Sequence, residues 1–488
     1  MNQKNNKIEY FKGEFLHPSL DVKNGLLILG FRFISKDLKE ENIFACANNQ
    51  NVFLSQEEYF DLEGKRYSIE MKKRLLARIE EKWDLEELIN FIENYNSGRA
   101  GTLSIKKLFE KIKNLLKKYV ELEMEEDYSI ISAWVIGTYF FPIFSAFPFL
   151  HIRAPKQSGK TQCLNFLKQV CFNAVKAKPT FPALSDTVDS LRGTYLIDQA
   201  DLLKRKGNEE LVEILTDSYK REGGKRRLRF PEKQGGWKTI EQEAYSPKVF
   251  ASIGDLPEDL ADRCVSIPFI RSQRNFPEPS EENENWKEIR RELYKVLLAE
   301  FSVIKSTYEI LNVQYRQNSK IVGRNLELWL PLETILKHCV EEDEKEKIQK
   351  RYTQLYGYTE YEPNELEKEV IEVIYKSFND NEEIKLRPPE IREEIQDENL
   401  WGFWKDRDLT PHQKDIAIGF IIKKFNLSSD KKNTNKGVVY LFEKKKVLKI
   451  RNLYCKTEEN TSNSPLLPEN NKNSMKNSEE LGNPNYSL

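Results

Sequence analysis

The stretch Ile152-Arg153-Ala154-Pro155-Lys156-Gln157-Ser158-Gly159-Lys160-Thr161 sets a lysine and a hydroxyl side by side at the end of a short loop. That is the pattern of a phosphate-cradling P-loop, in the form that tolerates Ala154 where glycine is usual. A triphosphate needs this arrangement because backbone N–H groups of the loop and of the following helix N-terminus can point at its oxygens. Ala154, Pro155, Lys156, Gln157, Ser158, Gly159, Lys160, Thr161 and Gln162 are therefore expected to line a bound nucleotide. Lys160 would add charge at the β- and γ-phosphates, and the Thr161 hydroxyl would be a ligand for Mg²⁺. ATP and Mg²⁺ are the expected cofactors.

A second acidic position follows in Thr194-Tyr195-Leu196-Ile197-Asp198, where four residues suited to a buried strand end in a carboxylate that could hold Mg²⁺ through water. Beside it stands Gln199, where a glutamate would polarise the attacking water. An amide can orient water but cannot take its proton. Asp201 could substitute. A third strand, Lys248 to Ile253, offers Ser252 as a γ-phosphate contact. Arg263, in the turn before the apolar Val265-Ser266-Ile267-Pro268-Phe269, suits an arginine finger acting on a neighbouring subunit; the plainer alternative is a surface pair with Asp259 or Asp262. The most basic segment, Tyr219 to Phe230, carries Lys225, Arg226, Arg227 and Arg229. With a turn at Gly223-Gly224, it reads as a hairpin for phosphate-backbone contact or as a solvated loop.

The elements that must position these groups follow from pattern. Pro148 to Ile152 suits a buried strand, and Leu164, Leu167 and Val170 recur at helical spacing behind the loop. Tyr128 to Ile152 has no Asp, Glu, Lys or Arg, but Pro142 and Pro148 break it. A helix from Ser129 to Phe140, a turn and a strand therefore explain it better than a membrane span. Residues 1–95 hold strand-like pieces at Leu26 to Phe33 and Asn51 to Leu54, then a charged helix from about Ser68 to Asn96. Leu103 to Tyr119 reads as an amphipathic helix. From Pro363 to Tyr454, three helices precede strand-like Gly437 to Phe442 and Val447 to Ile450, a pattern resembling a winged helix with a locally basic surface. After Cys455 the Asn, Ser, Glu and Pro content reads as a disordered tail.

The chain has 488 residues, too many for one core, and its net charge of −1 announces no overall affinity for nucleic acid. Its 6 cysteines lack CxxC spacing and do not cluster with the 4 histidines, which argues against zinc and fits a reducing cytoplasm. The first residues have no apolar core behind them, so a signal peptide is not expected.

Four pieces together resemble the AAA+ helicase-like ATPases of plasmids, viruses and other mobile elements, proteins associated with primase-polymerase modules. They are Ala133 to Tyr139 with Phe147 to Leu150, the P-loop, Ile253 to Pro257 with Ala261-Asp262-Arg263, and Gly323 to Leu332. The resemblance implies an α/β fold, with a parallel-sheet ATPase core over residues 103–275 and a helical lid over 276–350. A small α+β domain at 1–95, a winged-helix-like domain at 363–454 and a tail at 455–488 complete the division. It implies that Arg324 is a second sensor beside the nucleotide. It also implies single-stranded or forked DNA as substrate, a homo-oligomeric ring with a hexamer as one form, and a primase or replication initiator as partner. Ala154 and Gln199 depart from the family pattern. Two readings stay open: a ring-forming replicative helicase or loader, and a slow nucleotide-dependent switch that holds DNA or a partner.

Overall fold

The computed structural model describes residues 12–62, 64–70, 77–99, 104–155, 158–176, 189–231, 237–269, 274–318, 321–357, 363–397, 400–401, 409–425, 427–435 and 437–455. The chain divides into two compact units, residues 1–360 and 361–488.

The first unit opens with seven strands: β1 (Glu14–Leu16), β2 (Leu20–Lys23), β3 (Leu26–Ile34), β4 (Glu40–Ala47), β5 (Val52–Ser55), β6 (Tyr59–Leu62) and β7 (Lys65–Ile69). Strands β2 to β5 form an antiparallel meander, and β1-β7-β6 a smaller sheet. Alternation along β3 explains the layering. Leu26 and Ile28 pack with Phe44, Cys46, Tyr67 and Ile69, while Leu27, Leu29 and Phe31 join the main core. Asn24 and Gly25, at φ 50° and 81°, make the tight β2–β3 turn. Gly30 has no alternative, since a Cβ there would lie 2.0 Å from the Pro18 carbonyl.

The helix expected from Ser68 to Asn96 is not continuous. Ser68 and Ile69 belong to β7, residues 71–76 lie outside the described residues, and two helices follow, α1 (Ile79–Lys82) and α2 (Leu85–Asn96). Trp83 is extended between them, and the Asp84 carboxylate caps α2 by accepting from the N–H groups of Glu86 and Glu87. Charge along the segment hid that cap.

Helix α3 (Ile105–Tyr119) buries Leu108, Ile112 and Leu116 as its spacing requires. Helix α4 (Glu125–Phe140) is buried nearly all round, which accounts for its lack of charge after the first turn. Among the described residues no helix is long and apolar enough to cross a membrane. A five-stranded sheet follows: β8 (Phe149–Arg153), β9 (Val175–Lys176), β10 (Tyr195–Ile197), β13 (Lys248–Ser252) and β14 (Cys264–Pro268). Between β10 and β13 come helix α6 (Glu209–Asp217) and the hairpin β11 (Lys225–Pro231) and β12 (Trp237–Glu243). Helix α5 (Lys160–Val170) connects β8 to β9. The sheet is parallel throughout, in spatial order β14-β8-β13-β10-β9. It is covered on both faces and accordingly near-continuously apolar.

Helix α7 (Glu258–Ala261) precedes β14; α8 (Trp286–Asn318), α9 (Gly323–Cys339) and α10 (Glu342–Gly357) follow it. These three helices share the main core with the sheet. Arg351 on α10 makes two hydrogen bonds, 2.7 and 2.8 Å, to the fully buried Asp127 on α4. Phe31 of β3 meets Tyr294 of α8 edge to face at 5.5 Å, so the inner face of the N-terminal meander completes that core.

The second unit runs α11 (Glu365–Lys376), β15 (Glu383–Leu386), α12 (Pro388–Glu394), α13 (Pro411–Lys424), β16 (Ser428–Thr434), β17 (Gly437–Glu443) and α14 (Lys444–Tyr454). Capping boxes at Asn364 and Thr410 start α11 and α13. The sheet is antiparallel, in order β15-β17-β16. Val447 to Ile450, expected as a strand, is helical. So short a run does not distinguish the two, and Arg451 anchors the helix to Glu372 of α11 at 2.6 Å. Strand β17 pairs instead with β15 on one side and on the other with the polar β16, which has no apolar alternation to reveal it.

Candidate nucleotide site

Strand β8 delivers the P-loop to the carboxyl edge of the sheet. The Ala154 N–H donates to the Ser252 carbonyl at 3.1 Å, and the Phe269 N–H to the Arg153 carbonyl at 2.8 Å, so neighbours on both sides fix where the loop begins. Lys156 and Gln157 lie outside the described residues. The Ser158 hydroxyl donates back to the Pro155 carbonyl at 2.6 Å. Gly159 turns the chain into α5 at φ 84°, in the left-handed region that suits glycine. The first N–H groups of α5 have no intrahelical acceptor, which makes this end a natural phosphate seat.

The Lys160 ammonium lies across the loop, 2.6 and 2.8 Å from the carbonyls of Ala154 and Pro155. Burial holds its pKa below the ordinary lysine value, against the opposing pull of Asp201 and Asp198. Those two carboxylates therefore stand close enough to be felt by the lysine. Thr161 is exposed on the first turn of α5, and the Gln162 amide donates to the Pro277 carbonyl.

Asp198 ends β10, with β13 lying between it and the P-loop strand. Its carboxylate accepts from the Gln199 N–H at 2.9 Å and faces the Lys176 ammonium at 3.6 Å. Gln199 is exposed in a left-handed conformation, φ 56°. Asp201 acts as a latch. Its Oδ1 accepts from the Ile253 and Gly254 N–H groups at 2.7 and 2.9 Å, tying the loop beyond β13 to the loop beyond β10. Thr161 on the first turn of α5 and Asp198 at the end of β10 are hard oxygen donors at the carboxyl edge of one sheet. They fit Mg²⁺, which commonly takes one or two protein oxygens and fills its shell from water and phosphate.

Ser252 departs from expectation. It is 1% exposed, its hydroxyl donates to the Gly254 carbonyl at 2.5 Å, and it sits 2.7 Å from His151 Nε2. The other His151 nitrogen meets Ser266 at 3.0 Å, so a polar row crosses β13, β8 and β14 beneath the loop. Strand alternation points Ser252 into this row, whereas its place at a strand end had suggested the phosphate. Burial pushes the His151 pKa down to about 4, with nearby Arg153 adding to the effect.

Arg263 and Arg324 lie together, and away from their own P-loop. The Phe149 N–H donates to the Arg263 carbonyl at 3.0 Å, which puts Arg263 where β8 begins, whereas the P-loop starts where β8 ends. At about 3.3 Å per residue that separates them by roughly 13 Å along the strand. Arg263 donates to the Asp259 carbonyl and approaches the Asp262 carboxylate at 3.8 Å. Arg324, at the start of α9, pairs with the same Asp262 carboxylate. Both guanidinium groups stand over the Tyr219 ring, at 5.5 and 5.9 Å. The Tyr219 hydroxyl and Lys220 ammonium reach Glu327 of α9 at 3.3 and 2.7 Å. Arg324, expected as a second sensor beside the nucleotide, shares a cluster with Arg263. Tyr219 and Glu327, which build that cluster, carry no local sequence signal.

The basic residues Lys225, Arg226, Arg227 and Arg229 lie on β11, which pairs with β12 from Lys225–Glu243 to Pro231–Trp237. The Gly223-Gly224 pair is not the hairpin's turn. Gly224 sits at its foot, where a Cβ would lie 2.8 Å from the Tyr245 nitrogen. The foot is clamped by the buried Arg192, which pairs with Glu243 of β12 and with Asp21 of β2 at 3.0 Å. The Glu243 N–H donates to Asp189 at 2.9 Å.

A cavity of about 220 Å³ adjoins the loop on its α3 side, lined in part by Glu121, Ser158, Gly159, Gln162 and Phe276. The Arg274 guanidinium lies 4.9 Å over Phe276. The space is suited to a base or ribose beside the phosphate seat.

No family model matches the chain, and no curated protein does. Among solved structures it is similar to the apo C-terminal region of NrS-1, at 11% identity over 86% of this chain and 96% of that one, TM-score 0.32. It is also similar to a full-length MCM homolog from Methanopyrus kandleri, at 9% identity over 70% and 75%, TM-score 0.30. A third likeness is to Drosophila ORC bound to DNA, at 11% identity over 75% and 97%, TM-score 0.20. At such scores the likeness is faint, and the site's own geometry carries the functional reading.

Proposed function

We propose that the chain is an ATP-hydrolysing AAA+ protein that acts on DNA as a ring, in the manner of a replicative helicase or helicase loader of a mobile element. One observation carries the reading. The P-loop and Asp198 lie at the carboxyl edge of a five-stranded parallel sheet, while Arg263 and Arg324 are gathered at its opposite edge. Such a chain holds one half of a site at each end, and copies placed head to tail complete it. In that assembly the Lys160 ammonium and the α5 N-terminus bind the triphosphate, and Thr161 and Asp198 hold Mg²⁺. The neighbour's Arg263 and Arg324 offset charge developing on the transferred phosphoryl. Mg²⁺ would supply charge neutralisation to the phosphates when bound.

The finer division follows the same reading: α8 to α10 as the lid, and residues 363–454 as a winged-helix-like module. The helix-strand-helix-helix-strand-strand order of α11 to β17 supports the latter. The hairpin β11–β12 is the DNA-contacting element, with Lys225, Arg226, Arg227 and Arg229 on backbone phosphates. Replacing Lys225, Arg226 and Arg227 by Ala is expected to flatten the salt dependence of single-strand binding by about 0.7 per lost phosphate contact. An unchanged slope would remove the hairpin from the interface. Six buried, unpaired cysteines suit a reducing cytoplasm. A primase or initiator is the expected partner.

The second reading, a slow nucleotide switch, is favoured by Gln199 and by the latch role of Asp201, which together leave no glutamate beside Asp198. Calorimetry separates both readings from a non-nucleotide protein: wild type should bind ATP with Mg²⁺, and Lys160→Ala should not. Equal heats from both proteins would remove the assignment.

A further inference from the structure

Helix α13 carries an exposed pair of large apolar side chains. Ile416 is 59% exposed and Phe420 61%, one turn apart on the face opposite the buried Ile418, Ile421 and Ile422. Among the described residues of the second unit they are the large apolar side chains left in solvent. Isolated apolar residues on a surface need no explanation, but two stacked at i and i+4 make a continuous patch.

The rim of that patch is basic. His412 and Lys423 are exposed on the same helical face. Gly419 lets α13 approach β17, where a Cβ would lie 3.4 Å from the Tyr440 hydroxyl. Lys431 of β16 is exposed and stands directly opposite Tyr440 in register, which puts it on the α13 side of the sheet. The patch therefore combines an apolar centre with Lys423 on its own helical face and Lys431 on the neighbouring sheet.

We propose that this face of α13 docks an acidic amphipathic helix of a partner protein, one presenting apolar side chains a turn apart between carboxylates. The inference concerns the second unit and does not depend on the nucleotide site. Duplex DNA shares the negative charge but not the rest. Contacts to DNA are mostly polar and charged groups meeting phosphate and sugar, and the centre of this face offers a phenyl ring and an isoleucine. A helix partner covers both and leaves its acidic flanks to Lys423 and Lys431, the usual division of an interface into apolar core and polar rim.

The test uses the full chain and a labelled 18-residue synthetic helix with leucines on one face and glutamates elsewhere, followed by fluorescence anisotropy. Ile416→Ala and Phe420→Ala remove side chains that lie mostly in solvent, so folding should be retained, as circular dichroism would verify. Each is expected to weaken binding about tenfold or more, and Lys423→Glu with Lys431→Glu to weaken it further. A lysine-for-glutamate version of the peptide should not bind. Four results would overturn the proposal. The acidic helix fails to bind, or binds equally to the Ile416→Ala and Phe420→Ala chains. It binds only after residues 456–488 are removed, making the chain's own tail the occupant. A 20-base-pair duplex binds instead and loses affinity in the two Ala variants, making the face a DNA contact. Wild type self-associates through this face and the two variants do not, making the occupant a second copy.

Discussion

Arg263 and Arg324 pair with one carboxylate, Asp262, and stand over one ring, Tyr219, at the end of the sheet where β8 begins. The P-loop lies where β8 ends. In the proposed ring both guanidinium groups are offered to the nucleotide of a neighbouring copy. Arg263→Ala should accordingly lower hydrolysis by about 10³-fold, the lower range for an arginine finger, while leaving ATP affinity within about twofold. Steady-state turnover beside calorimetry checks this. A matching loss of ATP affinity in the isolated chain would mean that Arg263 reaches its own site.

Gln199 stands where a glutamate usually activates water, and Asp201 lies two residues further on. With Gln199 exposed and unable to accept a proton, single-turnover hydrolysis by wild type should be slow. Gln199→Glu should raise it at least tenfold, within the roughly 10²–10⁴ that general-base help can supply. Asp201 is separable from this. Asp201→Asn keeps an acceptor for the Ile253 and Gly254 amides and should retain activity, whereas Asp201→Ala breaks the latch and should not. If Asn and Ala at this position were equally inactive, Asp201 would be the base.

The parts legible in the sequence are those whose signal is local. Strand, loop and helix around Lys160 announce themselves within twenty or so residues, and Asp198 ends its strand as expected. What the sequence hid depends on alternation and on distance along the chain. Ser252 sits at a strand end in either case, but the face it takes decides between a phosphate and His151. Arg324 lies in a recognisable segment, yet only the packing of α9 against Tyr219 reveals which end of the sheet it meets. The polar β16 shows no period-two pattern, because its pairing rests on backbone groups. The interlock of Asp21, Arg192 and Glu243 joins residues too far apart in sequence for any motif.

His151 makes stability depend on pH. Its folded pKa, about 4, lies below the ordinary histidine value near 6.5. Between those values the unfolded chain takes up a proton that the folded chain refuses, so stability is full above about 6.5 and is lost as pH falls toward 4. The loss attributable to this group reaches roughly 3 kcal/mol at the acid end. Urea midpoints at pH 7.5, 6 and 5 should fall more steeply for wild type than for His151→Gln. Parallel curves would show that the ring is protonated in the fold.

Arg192 holds the hairpin foot to the N-terminal sheet through the buried Asp21 and the half-buried Glu243. Burial raises the Asp21 pKa, but Arg192 and the His17 N–H outweigh that effect and leave it lowered. Arg192→Ala would strand a buried carboxylate, at a cost of about 3–5 kcal/mol. Asp21→Asn with Arg192→Met should recover part of that loss in chemical denaturation. A single Ala substitution costing under about 1 kcal/mol would mean that the clamp contributes little.

Whether a second copy completes the site is read out by mixing two inactive proteins. Lys160→Ala lacks the phosphate lysine but keeps both arginines; Arg263→Ala keeps the P-loop but lacks the finger. Hydrolysis measured across mixing ratios, with single-stranded DNA present, should be near zero at either extreme and peak at intermediate ratios, where the first protein's Arg263 meets the second protein's Lys160. Activity at every ratio no greater than the weighted sum of the two proteins alone would contradict the account.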